Sequence, residues 1–171
     1  MMENNGKQAV GFGLNHSLQD SFKKFRKEKY FLCLILHNAE GIDPPSKYPA
    51  NASRRNYRAC VWINPENRYE TDEVTGGIRK VAFDEEIRIP FNNDYGIPLE
   101  TNFLSLEIVR VRSRCDPGPS RGSVVVGRLR VPLPKVPLVK ISRRFGLVRL
   151  VNGEIVGEGH IGISMKVIPL H

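Results

Sequence analysis

The chain has 171 residues, 40% hydrophobic and 26% charged, with a net charge of +8. This is the composition of one globular domain with a tail, not of a disordered chain, and no apolar run approaches the ~18 residues of a membrane span. The charge is uneven: residues 102–150 carry eleven Lys/Arg against Glu107 and Asp116, while residues 31–101 carry eight against eleven acidic groups. A basic half beside a mildly acidic one favours oriented docking on an anionic surface.

Residues 1–13 are polar and glycine-containing and read as disordered. MMENNGKQAVGFGL has no apolar signal segment, Met2 stands where a myristoylated glycine would be needed, and IPLH is not a prenylation box. A cytoplasmic protein peripheral to membranes is expected. Cys33, Cys60 and Cys115 lack CxxC spacing and read as reduced thiols. The sequons at Asn15 and Asn51 read as chance matches for the same reason.

From Asn15 to Tyr30, Leu14, Leu18, Phe22 and Phe25 recur at helical spacing. Lys23, Lys24, Arg26, Lys27 and Lys29 fill most of the rest, with Ser17 and Asp20 as a weak capping box. Two readings stay open: a basic amphipathic helix lying on a membrane or partner, and a helix or linker resting on the domain. The second is favoured, because so short a helix is marginal alone.

Strand patterns follow. YFLCLILHNAEGI is apolar and β-prone, and Asp43–Arg55 is a long loop rich in Pro, Ser and Asn. YRACVWINP is a second strand, Arg68–Val74 a polar strand, and Thr75-Gly76-Gly77 a turn. In KVAFDEEIRIPF, Phe83, Glu85, Ile87, Ile89 and Phe91 alternate with Asp84, Glu86 and Arg88. After a turn-rich connection, Leu104, Leu106 and Ile108 share one face of a strand, and Val124–Leu133 forms the next. Between them lies a Pro- and Gly-containing segment set with arginines. Pro132, Pro134 and Pro137 make an extended link. The C-terminal stretch reads as a hairpin turning at Asn152-Gly153 or a few residues later near Gly157. The expected fold is all-β: an eight-stranded antiparallel sandwich over 30–168, preceded by an extension of 1–29.

In order and spacing these strands resemble a C2 domain, notably the small plant C2-domain proteins of the cold-regulated and copine-associated type. FLCLILHNAEGI is similar to that family's first strand. VAFDEEIRIPF is similar to its V-x-W-N-E-x-F-x-F, with Phe83 at the Trp and Asp84 at the Asn position. LSLEIVRVRSR…SVVVGRLRVPL matches its paired-strand pattern, with Gly127, Val131, Pro132 and Leu133 in register. The resemblance implies loops clustered at one end, which in many members hold calcium through aspartates. Here the paired third-loop aspartates correspond to Arg110 and Arg112, and the aspartate before the second strand falls at Arg55 or Asn56. Asp43 and Asp116 remain, too few oxygens among arginines to hold a hard cation well. Permanent guanidinium charge stands instead, and the resemblance implies calcium-independent lipid binding.

The candidate anion site is therefore Arg54, Arg55 and Arg58 on the first loop with Arg110, Arg112, Arg114 and Arg121 on the third. The plainer alternative is pairing with neighbouring acids or simple solvation. A second basic surface comprises Arg128, Arg130, Lys140, Arg143, Arg144 and Arg149, with an ordinary solvated strand face as an equal alternative. His37 and His160 have no apparent acidic or Cys partner, and no P-loop, GxSxG, HExxH or zinc spacing occurs, so no enzyme, cofactor, metal or small-molecule substrate is expected. Trp62 and Tyr57 read as core or rim. The leading expectation is a membrane-targeting or adaptor module that also meets a protein partner. A pure protein-interaction module comes next. Nucleic-acid binding comes last, because Val124–Arg149 offers Phe145 as its one aromatic platform.

Overall fold

A computed structural model describes residues 26–43, 55–77, 79–111 and 123–171. They form nine strands: β1 (Lys27–Glu40), β2 (Arg55–Trp62), β3 (Tyr69–Glu70), β4 (Val74–Gly76), β5 (Lys80–Asp94), β6 (Phe103–Val111), β7 (Val124–Pro132), β8 (Ile141–Val151) and β9 (Glu154–Leu170). Every strand pairing is antiparallel. The path runs β3-β2-β6-β7-β8-β9-β1-β5, with β4 on β2. A single bridge, Arg128 to Val148, joins β7 to β8. At that seam the path folds over, laying β8-β9-β1-β5 against β2-β6-β7 as an all-β sandwich.

Alternation decides which side chains meet between the layers. Leu32, Leu34 and Leu36 of β1 face Leu104, Leu106 and Ile108 of β6, all nearly or fully buried, with Ile161, Ile163 and Val167 of β9 beside them. β5 keeps the expected pattern, burying Val81, Phe83, Ile87, Ile89 and Phe91 and exposing Ala82, Asp84, Glu86 and Arg88. Tyr30 stacks on Phe91 with ring centroids 5.4 Å apart.

The structure differs from the sequence expectations in several places. The polar strand over Arg68–Val74 breaks into β3 and β4, and Thr75-Gly76 belongs to β4, with the turn following between Gly77 and Lys80. Lys27 opens β1, paired to Asp94, and the Arg26 carbonyl accepts the Tyr95 N–H, so no helix continues through these two residues. The rest of the expected membrane-contact helix (Leu18, Phe22, Lys23, Lys24, Phe25) lies outside the described residues. The hairpin alternative resolves to Asn152-Gly153: Asn152 (φ 49°) and Gly153 (φ 83°) both take the left-handed conformation of a two-residue type I′ turn. Asp84 (φ 47°) is the extra residue where the β1–β5 register shifts. Asn and Asp tolerate that conformation best among non-glycine residues, which gives a physical reason for the residue type at this position.

The Asp43 cluster at the loop end

β1 ends, β2 begins, β6 ends, β7 begins and the β8–β9 turn closes at one end of the sandwich. Beyond β1, Gly41 (φ 68°) and Asp43 (φ 53°) turn the chain sharply around Ile42, which plugs the core. The turn sends the Asp43 carboxylate inward, where it is only 2% exposed.

Three strands supply its partners. Arg55 Nη1, at the start of β2, donates to Oδ2 at 2.7 Å, and the Tyr57 hydroxyl donates to the same oxygen at 2.8 Å. Arg110 Nη1, near the end of β6, reaches Oδ1 at 2.9 Å and Oδ2 at 3.1 Å. From β8, Arg149 Nη1 stands 3.9 Å from Oδ1 and 3.5 Å from Glu158 Oε2. Oδ2 thus receives three donors and Oδ1 one, with the Arg149 charge standing just beyond hydrogen-bond reach of Oδ1. Burial works against the Arg55 charge, but the Asp43 carboxylate outweighs it and the guanidinium pKa rises. Burial first, then Asp43, pushes the Tyr57 hydroxyl well above its ordinary value.

This arrangement redistributes the expected anion site. Arg55 is buried and Arg110 largely so, and both turn to Asp43 from within. Arg58 pairs with Glu70 at 2.8 Å and lies 4.0 Å from Glu73 on the outer face. Arg54, Arg112, Arg114 and Arg121 lie outside the described residues, as does Asp116. Asp43, the other residual metal candidate, gives its oxygens to guanidinium and phenol donors. Among the described residues no group of His, Cys, Asp and Glu is arranged to hold a metal ion.

The second basic surface is not one patch. Arg128 reaches Glu107 at 3.4 Å, and Arg130 lies over the Phe103 ring, 4.4 Å from its centroid. Nearby, Arg68 covers Trp62 at 4.1 Å. Trp62, Phe103 and Arg130, with Ser105, line an open cleft of about 450 Å³ on the β2-β6-β7 face. Lys140 belongs instead to the other layer, beside Cys33 and Lys166. Arg144 also lies there, 3.0 Å from Glu40, while Arg143 is exposed on β8.

Reading the sequence missed Tyr57 and Arg149 as members of the Asp43 cluster. It also gave His160 no acidic partner, whereas Glu40 Oε2 stands 3.3 Å from its Nε2, shared with Arg144. His37 Nε2 meets Ser164 Oγ at 2.7 Å, and Ser164 meets Ser142 at 2.7 Å. These are polar contacts between strand residues.

No protein-family model and no curated protein matches the sequence. Solved structures do match. A C2 domain of plant extended synaptotagmin 1 aligns with a TM-score of 0.58 at 10% identity, over 82% of this chain and 95% of that one. Human GIVD cytosolic phospholipase A2 aligns at 0.57 and 13% identity over 85% of this chain, which spans 18% of that protein. CC2D1B aligns at 0.55 and 12% identity, over 80% of this chain and 54% of that one. The fold is that of a C2 domain. Among the described residues no helix is long and apolar enough to cross a membrane.

Proposed function

We propose that the chain is a C2-type module that docks on anionic phospholipid surfaces without calcium and acts as a targeting or adaptor element, not as a catalyst. The observation that carries the calcium-independent part is the Asp43 carboxylate, both of whose oxygens already accept hydrogen bonds, Oδ1 from Arg110 and Oδ2 from Arg55, Tyr57 and Arg110. An incoming cation would have to displace two guanidinium groups and would meet a third at Arg149. Mutual repulsion opposes that step, and the neighbouring Glu158 carboxylate already faces Arg149 at 3.5 Å.

Support for an anionic partner comes from the charge balance. In sequence, Arg112, Arg114 and Arg121 fall between β6 and β7, whose joined ends lie at the Asp43 end. Guanidinium groups pair with phosphate in a forked geometry, and each basic group near an anionic leaflet contributes ~1 kcal/mol. Arg55 and Arg110 act in this reading as internal supports, leaving lipid contact to the arginines further along the loops.

The test is sedimentation with phosphatidylserine or phosphoinositide vesicles, in calcium and in chelator, at rising salt. Equal binding in both, weakened by salt, is expected. Reversing two charges with Arg112→Glu/Arg114→Glu should lower partition about 30-fold or more at ~1 kcal/mol per lost cation. No vesicle binding sinks the lipid reading, and strict calcium dependence sinks the account of Asp43.

A further inference from the structure

The β8–β9 ribbon runs past the strands on either side of it. The last β1–β9 pair is Glu40 with His160, and β7 meets β8 only at Arg128 and Val148. Among the described residues, Arg149–Gly157 therefore has no strand partner beyond its own hairpin. This isolated tip is apolar: Ile155 is 76% exposed, Leu150 59%, Val156 43%, Val151 42% and Val148 40%.

The register shows how these side chains are disposed. Leu150 opposes Ile155, Arg149 opposes Val156, and Val151 opposes Glu154. Side chains alternate faces along a strand. One face of the ribbon therefore presents Val148, Leu150 and Ile155 without a charge, and the other presents Val151 and Val156 together with Glu154 beside the turn and Arg149 at the base. A folded partner lying on a ribbon covers one face. Apolar groups on both faces suit surroundings that meet the tip from both sides, and the Glu154 carboxylate keeps it where water still reaches. At its base, Arg149 faces Glu158 across the ribbon and stands 3.9 Å from Asp43, so the tip projects from the end where the arginine-bearing segments join the strands.

We infer that the β8–β9 hairpin tip, led by Leu150 and Ile155, is a shallow wedge that seats in the headgroup–acyl boundary of an anionic bilayer. The inference rests on the membrane-docking reading and adds to it an element outside the arginine loops. Depth is bounded on two counts. At ~3.3 Å per residue, the apolar pairs nearest the turn lie within about 10 Å of it, which is the reach of the boundary layer. There, water still satisfies the open backbone edges of the ribbon, as the hydrocarbon core would not. Glu154, in the last pair before the turn, opposes deeper entry.

The test uses the whole chain with phosphatidylcholine vesicles containing phosphatidylserine. Leu150→Ser/Ile155→Ser, both at exposed positions, should keep the wild-type melting curve and lose about tenfold or more in partition. Glu154→Gln should bind more tightly than wild type. In an Ile155→Trp variant the new indole should shift to the blue on binding and be quenched by lipids brominated near the headgroup. If the wild type binds and the Ser variant binds equally, or if the Ile155→Trp signal ignores the lipid, the wedge is refuted while the arginine reading stands. Absence of wild-type binding removes the docking reading and the wedge with it. A wild-type dimer that the Ser substitutions convert to monomer assigns the tip to a second copy of this chain and overturns the inference.

Discussion

Replacing Asp43 by Asn preserves the shape of the side chain and removes its charge. Arg55, with its side chain 7% exposed, is then buried against a neutral amide. Breaking a buried ion pair by neutralising one partner costs about 3–5 kcal/mol. Arg110 and Arg149 keep 20% and 25% of their side-chain surface in solvent, which partly screens them, and each adds about 1 kcal/mol. The amide oxygen still accepts one hydrogen bond, which offsets part of that addition. A net loss of about 4 kcal/mol corresponds, at 2–4 °C per kcal/mol for a domain of this size, to a fall in Tm of roughly 8–16 °C. Circular dichroism melts and urea titrations measure it. Adding Arg55→Met to Asp43→Asn should recover part of the loss, because an apolar group of similar volume tolerates the site better than a buried charge facing a neutral amide. The reasoning is refuted if Asp43→Asn lies within about 1 kcal/mol of wild type. It is equally refuted if calcium raises the wild-type Tm, since a ligand bound to the folded state alone must stabilise it.

Tyrosine titration gives a second prediction. Burial, with Asp43 beside it, raises the Tyr57 hydroxyl, and the Glu28 hydrogen bond, with burial, raises Tyr30 from 10.0 to about 12. The folded protein thus keeps phenol protons that the unfolded chain has lost, so this stabilisation is complete below pH 10 and is lost as pH rises toward the folded-state values. Unfolding free energy should therefore be lower at about pH 11 than at about pH 9, and Tyr30→Phe should flatten the decline. Gly159 (φ 70°) has its α-carbon against the Glu40 carbonyl and the Gly41 backbone, where a methyl group has no room. Gly159→Ala should cost about 2 kcal/mol or more in urea titrations through left-handed strain and backbone displacement. Burial raises the Cys60 thiol, with Glu70 adding to the effect. Cys60 should resist alkylation near neutral pH in the native protein and react on unfolding, which mass spectrometry reads directly.

The strand pattern was legible because local physics wrote it. Leu104, Leu106 and Ile108 alternate in sequence and all lie inside, and Asn152-Gly153 makes the turn its backbone preference requires. The split of Arg68–Val74 was not legible, because the polar run lacks the alternation that marks a half-buried strand and its two fragments are held by contacts with β2. The Asp43 cluster lay beyond local pattern: its members come from β2, β6, β8 and the turn after β1, and Arg110 is 67 positions from Asp43. One signal did point toward it. The resemblance put Arg55 and Arg110 near positions where acids are common, with Asp43 retained, and an acid kept among substituted cations is a candidate for pairing with them. The exposed hairpin tip was invisible for a different reason. Leu150, Val151, Ile155 and Val156 look in sequence like core residues, and only the short reach of β1 and β7 leaves them uncovered.

The position of β1 also has a consequence in time. It lies between β5 and β9, and His37 meets Ser164 across 127 positions of chain. At ~5–20 residues per second of synthesis, β1 waits on the order of ten seconds before β9 exists to cover its second edge. During that interval Leu32, Leu34 and Leu36 have β5 on one side and an open ladder on the other. A nascent chain in this state presents an apolar strand edge of the kind that pairs with other chains. Bringing the two strands together in sequence, by joining the end of β9 to the start of β1 and opening the chain elsewhere, would shorten that exposure and should raise the yield of folded protein during synthesis.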